Sequence, residues 1–373
     1  MPSGVVLFYK IGSFSHINGC VEAQLRRVFP DRSVRTIDVL EDVVEREPLL
    51  RAGAFVGAVG SHLPRIVANR QNPRDFYTRL HWVWQAIRGR AIREARKCRP
   101  VFTFQTQSLF DAAAPGCPHF VYTDHTYLAN RRYRGGRDFP VSPAWREAEA
   151  ALYRHAARNF TSSSFCSMSL VEDYGEDPGR VECVFTGSNV STAGAAGVER
   201  EPRTILFVGY EWERKGGPDL VAALRIVRES VSGVKLIIAG CRPGLQDPGV
   251  EERGRIPLSE MRDLFARAAI FCLPSHREPS ATALGEACAF GIPSVSTRVG
   301  GTLDRVIDGE TGWLVEPGDV PALAAALIQA LEHPEEAHRR GENARAHFLR
   351  HFSWDAVGDK IGCSVRGFLE SPL

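Results

Sequence analysis

The chain has 373 residues, with 46 basic and 44 acidic side chains, a formal net charge of +2, 44% apolar residues and 24% charged ones. This length and composition suit two domains of ordinary size and exclude a disordered chain. The small net charge does not point to nucleic acid, and no apolar run approaches the roughly 18 residues of a membrane span. The opening MPSGVVLFYKIG lacks the basic head and long apolar stretch of a secretory signal. The nine cysteines are odd in number and scattered without a C-x-x-C pair, so neither a disulfide framework nor a zinc site is indicated. A cytoplasmic protein is expected.

Short apolar runs alternate with amphipathic stretches. In chain order, the expected buried strands are Val5–Tyr9, Ala54–Val59, Val101–Gln105, Phe120–Thr123, Val181–Phe185, Thr204–Val208, Lys235–Ala239, Ile270–Leu273 and Ser294–Thr297. Runs rich in Val, Ile and Phe without alternation suit parallel strands covered on both faces. Helices are expected at Pro218–Ser230, at Ser259–Ala269 with Ser259 as cap, at Thr282–Phe290, and from the cap Asp319 to Leu331. Residues 187–203 are small, polar and aperiodic, a linker composition. The expected organisation is residues 1–187 as an N-terminal domain, 188–203 as linker, 204–350 as a second domain, and 351–373 as a helix that either packs back on the first domain or simply ends the second. The fold class is α/β: two doubly wound, Rossmann-like parallel-sheet domains facing across a cleft.

The stretch 274–301, PSHREPSATALGEACAFGIPSVSTRVGG, carries the most chemistry. It reads as a strand end, a loop, a helix, a second strand and a glycine turn. Pro279 and Ser280 interrupt regular structure, Thr282 is placed to cap the helix, and Gly291 and Pro293 end it. A helix N-terminus presents unpaired N–H groups and a positive partial charge, a place for phosphate. Glu278 and Glu286 lie on either side of it, at most roughly 12 Å apart along a helix. Such a pair suits the hydroxyls of two sugars flanking a diphosphate, or is simply two solvated glutamates on a capped helix.

A second signal is the loop 209–217, GYEWERKGG, between an expected strand and a helix. Its glycines allow close backbone approach, and Arg214 and Lys215 are placed to neutralise a diphosphate, or are simply a solvated basic pair.

These segments together resemble the retaining GT-B glycosyltransferases of the class called family 4 or group 1. The resemblance rests on FVGYEWERKGG (207–217), LIIAG (236–240), LPSHREPSATALGEACAFGIPSVSTRVGG (273–301) and DGETGWLVEPGD (308–319), and is strong over about 204–332. It implies transfer of a sugar from a nucleoside diphosphate sugar to a hydroxyl acceptor, with retention of anomeric configuration. By the resemblance, Lys215 binds the donor diphosphate with help from Arg214, Glu278 lies beside the donor sugar, Glu286 binds the ribose hydroxyls, and the backbone of Ala281, Thr282 and Ala283 meets the phosphates. Many members read Glu-Gly-Phe-Gly where this chain reads Glu278-Pro-Ser-Ala281, and an arginine where it has Tyr210. In the first half, Gly19 is the candidate phosphate glycine. His125, with its neighbour Asp124, resembles the histidine that touches the donor sugar; without the resemblance it reads as a structural hydrogen-bonder.

No D-x-D occurs in the chain, so metal-independent transfer without a cofactor is expected. Covalent attack by a carboxylate and entry of the acceptor on the leaving-group face both stay open. Residues 65–99 hold ten basic side chains against two acidic, with Phe76, Trp82 and Trp84 interleaved. This stretch reads as a peripheral membrane surface for a lipid-linked acceptor, a site for an anionic or glycan acceptor, or a solvated basic helix with its tryptophans inward. Two other function classes remain open: a nucleotide-sugar epimerase on the same architecture, and a non-catalytic binding module.

Overall fold

The structure is a computed structural model that describes residues 4–371 apart from 15, 70, 134–140 and 196. Its contacts divide the chain into two units, residues 1–162, 166–184 and 358–373 in one, and 163–165 with 185–357 in the other. The first unit is built on β1 (Val5–Lys10), β2 (Ser33–Asp38), β3 (Phe102–Thr106), β4 (His119–Thr123), β5 (Arg158–Thr161) and β6 (Val181–Cys183), all parallel, in the order β2-β1-β3-β4-β5-β6. The second contains β7 (Glu201–Val208), β8 (Lys235–Ala239), β9 (Val250–Gly254), β10 (Ala268–Leu273), β11 (Ser294–Thr297) and β12 (Gly312–Val315), also all parallel, in the order β12-β11-β10-β7-β8-β9. The α/β, doubly wound reading of the sequence is therefore correct for both units.

Central strands have aromatic and β-branched residues on both faces, and helices cover both. Phe8, Phe102, Phe104, Phe120 and Phe160 are fully buried in the first unit, and Ile205, Phe207, Leu236, Ile238 and Phe271 in the second. The helix Gly217–Ser230 buries Leu220, Ala223, Leu224 and Val227, the stripe expected at a 3.6-residue period. Asp319 caps the helix Val320–Glu332 through the amide of Ala322, also as expected.

Four expectations need correction. Residues 54–59 are not a strand but the middle of helix Pro48–Asn69, in which Ala54 and Ala58 are buried while Phe55 and Val56 are exposed. A six-residue apolar run does not discriminate the two states, and its flanks continue a helical period. Strands β2, β5, β9 and β12 were not anticipated. Three are sheet edges: β2 and β9 carry polar residues, as in VEERG of β9, while β12, like β5, is only four residues long. The helix expected from Ser259 starts at Leu258 behind Pro257 and ends at Arg267, because Ala268 is already in β10. Finally, Thr282 is not the cap of the helix Thr282–Ala289. The cap position is Ala281, in the left-handed conformation with φ 51°, and no side chain bonds the first turn.

The final helix, Trp354–Glu370, is grouped with the first unit from Gly358 onward. There Asp359 pairs with Arg27 at 2.7 Å and Phe368 meets the Phe120 ring edge-on. Among the described residues, no helix is long and apolar enough to cross a membrane. None of the nine cysteines is in a disulfide.

Candidate functional site

In an open parallel sheet, ligands bind outside the strand carboxyl ends where the strand order reverses. In the second unit that point lies between β7 and β10, because the chain runs β7-β8-β9 in one direction and then returns to β10 on the other side. The loops after these two strands are 209–216 and 274–281, the two segments singled out in the sequence. Fold and sequence thus converge on one place.

A lysine and a carboxylate join the loops. Lys215 Nζ donates to Glu278 Oε2 at 2.7 Å, and Ser275 Oγ donates to the same oxygen at 3.2 Å. Arg214 lies 3.7 Å from that oxygen, donates to the Arg277 carbonyl at 2.6 Å and pairs with Glu211. Glu278 is only 5% exposed. Burial pushes its carboxyl up, but Lys215 and Arg214 outweigh burial and hold it below the usual range. Glu286, 8% exposed on the helix, has no such compensation. Burial pushes it up to about 7, against the amide of Asn189 and the more distant charges of Lys215 and Arg305. Neither glutamate is a solvated surface group, so the plain reading of the pair does not hold.

Glycines set the backbone spacing here. Gly216 has φ +73°, and a methyl on it would overlap the Pro274 carbonyl, so the two loops pack backbone to backbone. A methyl on Gly209 would lie 2.5 Å from Lys215 Cδ, so this glycine leaves room for the lysine stem. Gly301 meets the Pro279 carbonyl and donates its N–H to the Glu278 carbonyl at 2.8 Å. The first intrahelical bond of Thr282–Ala289 runs from the Gly285 amide to the Ala281 carbonyl. The amides of Thr282, Ala283 and Leu284 precede it at the positive end of the helix. Tyr210 is exposed, with the Arg255 guanidinium 4.9 Å from its ring centre.

In the first unit the reversal lies between β1 and β3. The turn after β1 is made by Gly12, with φ +50° and its N–H on Asp38 Oδ2 at 2.8 Å. Buried Asn18 donates to the carbonyls of Ile11 and Gly12 and accepts from Thr106 at 2.6 Å. Gly19 stands inside the helix Ile17–Val28, where a methyl would meet nothing within 4 Å. His125 and Asp124 follow β4. His125 Nδ1 lies 2.6 Å from Asp124 Oδ1, and the negative charge of Asp124 holds the imidazole above its usual range against burial.

Three of the described arginines of 65–99 form ion pairs within the unit. Arg74 pairs with Glu41 and Glu45, Arg88 with Asp111 and Arg90 with Glu94. Trp84 is buried and Trp82 half exposed. Arg70 lies outside the described residues. Ser275, Asn189 and the buried Arg305 were not anticipated as parts of the site. Asn189 falls in the stretch read as linker, and a serine or arginine in an apolar neighbourhood carries no pattern of its own.

Known proteins match this arrangement. The model of the family "Glycosyl transferases group 1" matches residues 194–347. A glycogen synthase of Mycobacterium tuberculosis is 30% identical over 324 residues, covering 79% of this chain and 78% of that protein. A D-inositol 3-phosphate glycosyltransferase of Corynebacterium glutamicum is 30% identical over 271 residues, 65% of each chain. Among solved structures, sucrose-phosphate synthase of Thermosynechococcus elongatus superposes with a TM-score of 0.72 at 18% identity over 98% of both chains. Anabaena HepE, in complex with UDP-glucose, superposes at 0.66 with 14% identity over 98% of this chain and 100% of that one. The chain belongs to the group 1 glycosyl transferases and has the GT-B fold.

Proposed function

We propose that this glycosyltransferase takes its sugar from a nucleoside diphosphate sugar and passes it to an acceptor hydroxyl with retention, using no metal. One observation carries the reading: Lys215 and Glu278 meet at the sheet's reversal point, beside a helix N-terminus, with Glu286 one helical stretch away. The diphosphate is assigned to Arg214, Lys215 and the amides of Thr282 and Ala283, the donor sugar to Glu278, and the ribose hydroxyls to Glu286. Breaking the sugar–phosphate bond builds negative charge on the phosphate, and fixed cations and helix amides stabilise it at that position. They supply the charge that a metal clamp otherwise would. The acceptor oxygen bonds to the anomeric carbon as the phosphate oxygen leaves, and the departing phosphate takes the acceptor proton, so no protein base is needed. His125, held by Asp124, is assigned to the sugar being transferred.

The complexes of HepE with UDP and with UDP-glucose support a nucleotide-sugar donor. A thermal-shift series over nucleoside diphosphates and their sugars tests it, since a ligand of the folded state raises apparent stability by mass action. We expect one diphosphate to raise the midpoint in the native protein but not in Lys215→Ala or Glu286→Ala. No shift with any diphosphate, or equal shifts in the variants, rejects the assignment.

A further inference from the structure

The first unit contains a buried carboxylate with no part in the scheme above. Glu149, on helix Pro143–His155, is 1% exposed. Its Oε2 accepts from Tyr174 Oη at 2.5 Å. Its Oε1 accepts from the Tyr127 amide at 3.2 Å, from Ser108 Oγ at 3.2 Å and from Tyr153 Oη at 3.4 Å. A buried carboxylate is expensive unless charge and hydrogen bonds compensate it, and four donors from four segments have converged to do so.

The segments identify its purpose. Ser108 lies in the loop after β3, and its hydroxyl is also 3.5 Å from the His125 carbonyl. Tyr127 is two residues beyond His125 and opens the short helix Tyr127–Arg131 that follows β4. The His125 carbonyl itself accepts from Thr123 Oγ1 at 2.7 Å. Glu149 therefore holds the backbone just past the imidazole directly, through the Tyr127 amide, and shares with the His125 carbonyl the hydroxyl of Ser108. The charged groups that face His125 are Asp124 beside it, Glu149 from the helix, and Arg79 from the turn Pro73–Arg79. Arg79 in turn interacts with Glu149. Taken in order, Arg79, Glu149, His125 and Asp124 alternate in sign when the imidazole is protonated.

We propose that Glu149 is a positioning residue for His125, fixing the 124–127 loop and favouring the imidazolium through the alternating charges. The inference rests on the role assigned to His125, but its own content is physical and is read without turnover. Burial pushes the Glu149 carboxyl up, opposed by its donors and by His125, so each charge favours the other.

The test is an NMR titration of the His125 imidazole, assigned by comparison with His125→Gln, in the native protein, Glu149→Gln and Ser108→Ala. Glutamine keeps the shape but not the charge. In Glu149→Gln the His125 midpoint should fall by about half a pH unit or more, and in Ser108→Ala, which leaves the charge in place, it should stay at the native value. With an active donor and acceptor pair, kcat in Glu149→Gln should fall by roughly tenfold while the donor KM changes less than about twofold. If Glu149→Gln does not fold, Ser108→Ala decides the positioning claim by the same split: a lower kcat at constant donor KM supports it, and an unchanged kcat overturns it. A native His125 midpoint in folded Glu149→Gln also overturns it, as does a donor KM that moves with kcat. Absence of sugar transfer by the native enzyme would refute the proposed function and leave the titration result standing.

Discussion

Lys215 Nζ and Glu278 Oε2 stand 2.7 Å apart and tie the loop after β7 to the loop after β10. The ion pair is almost fully buried, so removing one partner leaves the other uncompensated. Lys215→Met should lower stability at pH 7 by about 2 kcal/mol, less than the 3–5 typical of such losses because Arg214 and Ser275 still face the carboxylate. Glu278 has a lowered folded pKa, so its contribution is present above its unfolded value of 4.5 and is lost as pH falls through the folded one. The deficit of Lys215→Met should therefore shrink in acid. The double variant Lys215→Met with Glu278→Gln should recover most of the stability without recovering transfer. Urea unfolding at pH 4 and 7 checks this; a double variant as unstable as the single one contradicts it.

Glu286 shows the opposite sign. Its folded pKa, about 7, lies above the ordinary 4.5, so the folded state holds the proton more tightly than the unfolded chain. The stability it contributes is complete in acid and is lost as pH rises from about 4.5 through 7. Glu286→Gln should therefore be more stable than the native protein by roughly 3 kcal/mol at pH 8 and by under about 1 kcal/mol at pH 5. The same variant should bind a nucleoside diphosphate sugar at least about tenfold more weakly, because the acceptor we propose for the ribose hydroxyls is impaired. Unfolding curves across pH, paired with calorimetric donor titration, test both parts; equal stability at pH 5 and 8 would show that the carboxyl is not held neutral by burial.

Ala281 occupies a left-handed conformation where glycine is the ordinary choice. Replacing it by glycine relieves about 1–2 kcal/mol of backbone strain. It also adds about 0.5–1 kcal/mol of unfolded-state entropy and removes a buried methyl worth about 0.8 kcal/mol. The terms nearly cancel, so Ala281→Gly should lie within about 1 kcal/mol of the native protein. Ala281→Val has no compensating term: a β-branched residue is a steric outlier at this φ, and the site is fully buried. It should lose about 3 kcal/mol or more and donor binding with it, measured by thermal melts and by titration with a nucleoside diphosphate.

Two glycines of one loop should fail in different ways. A methyl on Gly216 meets the Pro274 backbone carbonyl at a positive φ, and neither can give way cheaply. Gly216→Ala should lose about 3 kcal/mol or more. A methyl on Gly209 meets only the Lys215 stem, which is flexible. Gly209→Ala should melt within a few degrees of the native protein yet bind donor about tenfold more weakly, because the ammonium is displaced. Circular-dichroism melts and donor titration separate the two; matching losses of fold would refute the distinction.

Local pattern was enough for the fold class, most central strands and the two loops that meet at the β7–β10 reversal. Continuous apolar runs such as FVYT and KLIIA are strand signals because both faces of a parallel sheet are covered, and a basic pair in a glycine-rich turn stands out from an ordinary solvated pair only by its place at a strand's carboxyl end. The edge strands β2 and β9 escaped, since an open edge relaxes the demand for apolar residues, and β12 escaped because its buried run GWLV is only four residues long. The run AFVGAV, equally apolar as helix or strand, was resolved only by the register of Ala54 and Ala58 against their neighbours.

The sequence by itself determined the order and spacing of Arg214, Lys215, Glu278 and Glu286, and that they fall in two loops and the helix after the second. Only the tertiary structure decided their electrostatic states. Lys215 lies 63 residues from Glu278 along the chain, and their contact depends on the order in which β7 and β10 pair. Burial, which no spacing encodes, makes Glu278 an anion with a partner and Glu286 a carboxyl poised near neutrality. Glu149 is the extreme case, an ordinary helical glutamate in sequence whose four donors come from three other segments and its own helix. A charge state is set by what surrounds a group in space, and that is settled only when the chain has closed around it.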